Sequence, residues 1–191
     1  MKPYEPALHG RLRWSVAAAI VFCAAPALVW GQTKTPEDKV ENAMSAAPAS
    51  IARNATIMDW PSEAKGRLRE LRMGSNGWTC LPDDPGTPTN DPMCLDKMWM
   101  VWLEAFMAGT KPRITAPGIG YMFQGGSAAD NDDPSVQAPP PGKDWQIDPP
   151  HLMVLIPGKW DPAVFTKDHH SGGPYVMFGG TPYEHLMVPV E

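Results

Sequence analysis

NGWTCLPDDPGTPTNDPMCLDKMWMVWLEAF, residues 76–106, holds a turn, a short apolar run, a stiff loop between two cysteines and the most strongly patterned helix of the chain. Asn76-Gly77 is a strong hairpin signal, because both residues accept positive φ, so arms over 68–73 and 78–81 are expected to pair. Three prolines and a glycine between Leu81 and Asn90 order the next loop by stiffness rather than regular structure. Asp91 reads as an N-cap with Pro92 at the first helical position, where a missing N–H costs nothing. A long apolar helix over about 91–108 follows, with Gly109 as its stop. Leu95, Met98, Trp99, Trp102, Leu103 and Phe106 fall on one helical face. Asp96, Lys97, Met100 and Glu104 leave only a narrow wet stripe, so the helix must be covered on most sides.

The start of the chain reads as an export signal. Arg11 and Arg13 form a basic flank, residues 16–30 carry no charge, and Val29-Trp30-Gly31 suits signal peptidase, so 1–31 is expected to be removed before Gln32. The uncharged run is shorter than the ~20 residues a spanning helix needs, so no membrane association is expected after cleavage. Loss of Lys2, Arg11, Arg13 and Glu5 takes the formal charge from −5 to −7, which excludes nucleic acid as a natural partner. Of three cysteines only Cys80 and Cys94 remain, and an even pair in a periplasmic or extracellular chain reads as a disulfide. Two cysteines are too few for a thiolate zinc site.

About 160 residues are left, the length of one domain with a sizeable core. Residues 32–48 read as a flexible lead-in, and 49–191 as a single domain. Residues 51–60 fit a strand or a short helix equally well. Ile119, Tyr121 and Phe123 mark one face of a strand over 119–124, while residues 127–150 read as a long loop. Residues 151–156, 175–178 and 186–190 are compact apolar runs bounded by proline or glycine. Several short strands and one strong helix define an α+β fold: a mostly antiparallel sheet packed on the long apolar helix, closed by one disulfide.

The chemical signal is a repeat, His-Leu-Met-Val at 151–154 and again at 185–188. On strands, His and Met at i, i+2 share a face, so His151, Met153, His185 and Met187 would form a metal site of two imidazoles and two thioethers were the strands adjacent. Soft thioethers with imidazole select Cu(I), which makes copper the cofactor to consider. Plain packing explains the same residues, since methionine fills irregular gaps in cores. His169 and His170, beside Asp168, could supply a base, but no nucleophile elbow, zincin motif or phosphate-binding loop accompanies any histidine. No catalytic motif is recognised.

The segments NGWTCLP (76–82), NDPMCLD (90–96) and GGPYVMFGGTPYEHLMVPV (172–190) resemble those of uncharacterised exported bacterial proteins. That resemblance implies an extracytoplasmic location and brings no activity with it. The sequence therefore supports an exported, non-catalytic binding or structural protein of the cell envelope. A Cu(I)-binding protein using the paired His-x-Met motifs is the first alternative, and a hydrolase built on His151, His185 or His169 with a nearby acid is the second.

Overall fold

A computed structural model describes residues 35–63 and 66–190, so the expected leader lies outside the described residues. Lys34–Glu191 forms one compact unit. It opens with α1 (Pro36–Met44), α2 (Ala49–Ala52), β1 (Thr56–Asp59), β2 (Arg69–Arg72), β3 (Thr79–Leu81) and β4 (Met93–Leu95), followed by α3 (Lys97–Met107). Then come β5 (Gly118–Met122), β6 (Gly126–Ala128), β7 (Gln146–Asp148), β8 (His151–Leu155), β9 (Tyr175–Met177) and β10 (His185–Pro189). Eight strands make one sheet in the order β2-β1-β3-β4-β5-β8-β10-β9, and β6 pairs with β7 in a separate two-stranded ribbon. Every neighbouring pair is antiparallel except β1 and β3. The α+β class is therefore correct, but the long helix is not.

The helix is short because its expected first turn belongs to the sheet. Met93, Cys94 and Leu95 pair with β3 on one side, and Cys94 and Leu95 with β5 on the other. Asp96 takes over as N-cap: one oxygen accepts from Met98 N and Trp99 N at 2.9 and 3.0 Å, the other from Ile119 N at 2.6 Å. One carboxylate thus starts the helix and ties it to β5. The helix runs for 11 residues, buries Trp99, Trp102 and Leu103, and ends before Gly109, whose φ of 64° suits a helix stop.

The hairpin expected at Asn76-Gly77 does not form. Gly77 does adopt positive φ, but β2 and β3 lie on opposite sides of β1, so the connection crosses the start of β1 instead of folding back. The crossing is tight at Gly74, where a Cβ would stand 2.1 Å from Thr56 N and 2.3 Å from Ala55 C. Asn76 fixes it by donating to the Ile51 carbonyl at 2.8 Å and accepting from Trp78 N at 3.1 Å. The described part of the lead-in, 35–48, is also ordered: residues 36–44 form α1, with a Thr35/Asp38 capping box. Lys39 of α1 and Arg69 of β2 both bind buried Asp59 of β1, at 2.8 and 2.7 Å.

Each face of the sheet has its own core. On one, Ala43 and Ala46 cover Ile57 and the Cys80–Cys94 disulfide, which joins residues directly opposite each other on β3 and β4. Tyr121 packs on this side, as its place in the expected Ile119/Tyr121/Phe123 face requires. On the other, α3 covers Leu95, Met122, Met153, Leu155, Tyr175, Met177 and Met187. The sheet edges are β2, sequence RELR, and three-residue β9, whose outer side is bridged by Thr166 to Tyr175.

Candidate functional site

The α3 face of β5, β8 and β10 forms a grid set by register. Met122 lies opposite His151, which lies opposite Pro189; Gly120 lies opposite Met153, which lies opposite Met187. Gly118 lies opposite Leu155 in the third row, and His185, two residues before Met187, shares that level on β10. The two His-Leu-Met-Val segments are thus on adjacent antiparallel strands with all four named side chains on one buried face. Antiparallel pairing nevertheless puts the histidines at opposite ends of the methionine pair, four residues apart along the ladder, roughly 13–14 Å between Cα atoms. Met153 and Met187 meet; His151 adjoins them from one row and His185 from the other.

Both rings are held in the same way. His151 Nδ1 lies 2.7 Å from the Pro149 carbonyl and His185 Nδ1 lies 3.0 Å from the Tyr183 carbonyl, each two residues back. A carbonyl only accepts, so Nδ1 carries the hydrogen in each ring and Nε2 holds the lone pair. Burial drives both rings toward the neutral form: His151 is lowered, and His185 is brought down to about 4. The environments then diverge. His185 stands edge-on among Trp99, Trp102 and Phe178, with centroids at 5.1, 5.4 and 5.6 Å, an aromatic cage that reads as packing. His151 is 1% exposed and its Nε2 has no partner, a desolvated acceptor that costs about 1–3 kcal/mol if nothing binds it.

These residues line a cavity of about 670 Å³ between α3, the sheet, β6 and the loops around 60–63, 84–87 and 129–137. One wall is aromatic: Trp99 and Trp102 pack at 5.0 Å, and Trp102 stacks on Phe106 at 5.0 Å. Trp60 and Trp145 also line it. Its acidic residues are Glu63, Asp84, Asp91, Asp130 and Asp148, and among the described residues no lysine or arginine lines it. Asp148 accepts from the Tyr175 hydroxyl at 2.5 Å and Gln146 Nε2 at 2.8 Å. Burial, with Asp148 alongside, pushes the Tyr175 phenol well above its ordinary range. Asp91, expected to cap the helix, instead ties the 83–91 loop together by accepting from Asp84 N and the Thr87 hydroxyl at 3.0 and 2.7 Å. It is 3% exposed and has no ion pair among the described residues; burial, then the nearby Asp83 and Asp84, outweigh those bonds and raise it to about 6.

Among the described residues no histidine is paired with a carboxylate as a hydrolase would need. The Nδ1 atoms of His151 and His185 are on carbonyls, and Asp148 is engaged by Tyr175 and Gln146. His169 and His170 lie with ring centroids 3.9 Å apart, tilted by 47°, in the 166–174 loop and are not among the cavity's lining residues. Among the described residues no three His, Cys, Asp or Glu side chains are grouped to hold a metal; the donors beside His151 are thioethers. Met122 and Asp91 were not marked by sequence pattern: Met122 sits on the strand face opposite Ile119 and Tyr121, and Asp91 was absorbed into the cap reading.

Compared with protein families, curated proteins and solved structures, the chain matches none. No helix of the described residues is long and apolar enough to cross a membrane.

Proposed function

We propose that this chain is an exported, non-catalytic binding protein whose α3-side cavity takes a bulky cationic ligand. The observation that carries this reading is the lining: aromatic and thioether walls and five carboxylates, with no basic side chain among the described residues. Its volume, about 670 Å³, is within the ~300–1,000 Å³ typical of small-molecule sites. Aromatic faces attract cations through the ring quadrupole, by ~0.5–2 kcal/mol each. Asp91 supplies what the walls lack, a desolvated negative charge without a counter-ion among the described residues.

Tetraphenylphosphonium and tetraphenylborate, near-isosteric ions of opposite charge, separate charge from shape. With Trp60, Trp99, Trp102 and Trp145 in the wall, binding is read as quenching of tryptophan fluorescence. Saturable quenching by the phosphonium, absent with the borate and weakened at least threefold by Asp91→Asn, is the expected result. Equal binding of both ions, or of neither, refutes the reading.

A further inference from the structure

We propose that the cavity floor at His151 is a Cu(I) site, with His151 Nε2 and the thioethers of Met122 and Met153 as ligands and Met187 within reach as a fourth. The inference stands on strand register and a buried, unpartnered donor nitrogen, and does not rest on the organic-cation reading. His151 is the anchor because its second nitrogen is committed to the Pro149 carbonyl at 2.7 Å, while Nε2 is buried and unpartnered. An imidazole whose far N–H is held by a carbonyl is the usual form of a metal-bound histidine, since that bond fixes both tautomer and ring orientation.

The sulfur donors come from register. Met122 lies directly across from His151 on β5, and Met153 is the next residue on the same face of β8. Met187 faces Met153 across β10, which puts it on the diagonal from His151, a distance long side chains bridge. The backbone at Gly126 closes over the group: a Cβ there would stand 3.0 Å from Met122 Cε and 3.6 Å from His151 Cε1. The same point is 3.8 Å from Asp91 Cβ, so a carboxyl-bearing side chain is close enough to balance an added positive charge.

The donors select the ion. One neutral imidazole with two or three thioethers is a soft set, which favours Cu(I) over Zn²⁺, Ca²⁺ or Mg²⁺, and thioethers bind without losing a proton. Binding therefore transfers the ion intact, with no electron moved and no proton released. His185 is left out, two rows from His151 and inside its aromatic cage.

The test is transfer of Cu(I) from its coloured bicinchoninate complex to the exported, disulfide-intact protein, without oxygen and with ascorbate present. One equivalent should transfer, and copper X-ray absorption should show sulfur neighbours. Met122→Leu and Met153→Leu keep volume and apolarity while removing sulfur, so each should weaken Cu(I) at least tenfold and the double variant should abolish it, with near-UV circular dichroism unchanged. No transfer to the wild-type protein, full retention in the double variant, or a copper shell of nitrogen and oxygen alone would overturn the proposal.

Discussion

Asp91→Asn should make the protein more stable, and by an amount that depends on pH. The carboxyl is raised from 3.8 to about 6 by burial beside Asp83 and Asp84. A group whose folded pKa lies above its unfolded value contributes stability that is present below pH ~3.8 and lost as pH rises through ~6. A shift of about two units at ~1.4 kcal/mol each corresponds to ~3 kcal/mol against the folded state once the group is ionised. Asp91 is 3% exposed but borders the cavity, so screening discounts part of this and ~3 kcal/mol is an upper bound. Asparagine has nearly the same shape and can still accept from Asp84 N, while the Thr87 hydroxyl retains the Asp84 carbonyl at 3.0 Å. Urea unfolding followed by tryptophan fluorescence should place Asp91→Asn above wild type by up to ~3 kcal/mol at pH 7.5 and by under ~1 kcal/mol at pH 4. Any cost of the amide common to both pH values cancels in that comparison. A difference that does not change between the two pH values, or one that grows on acidification, would refute the account of Asp91 as an unpaired buried charge.

Two further outcomes follow from the same structure. His185 titrates in the opposite sense: its pKa is lowered to about 4, so its stabilisation is complete above ~6.5 and lost as pH falls toward 4. His185→Leu should therefore flatten or reverse the acid destabilisation of the wild-type protein between pH 6.5 and 4, as read from urea midpoints. Replacing both Cys80 and Cys94 with alanine should cost about 3 kcal/mol, the value for a loop of about 15 residues, and thiol titration of unfolded wild-type protein should find neither cysteine free.

The sequence was most legible where local chemistry and tertiary demand agree. The wet stripe at Lys97 and Glu104, the stop at Gly109 and the strands at 151–155 and 185–189 follow from periodicity and punctuation alone. It misled where a strong local signal was overruled by pairing. Asp91-Pro92 has good helix-start chemistry, but the following residues gain two strand partners, and Asp96 offers a second cap five residues on. Asn76-Gly77 has turn chemistry too, yet β1 takes the place beside β3 that a hairpin would have given β2. The His-Leu-Met repeat showed which residues share a face, but antiparallel register reverses one copy against the other, and no reading of a single chain reveals which strands are neighbours. Met122 entered the site through that same hidden register.

The sheet edges bear on how the protein lives among its own copies. An open eight-stranded sheet offers a row of free backbone groups at each end, a template for end-to-end joining of molecules. Here the β2 end presents two arginines and a glutamate within four residues, charge of the kind that discourages edge pairing. The other end stops after three residues, and Thr166 already takes a position beside Tyr175. Charge at one edge and the Thr166 bridge at the other work against strand addition, and concentrated protein should stay dispersed rather than assemble through its strands.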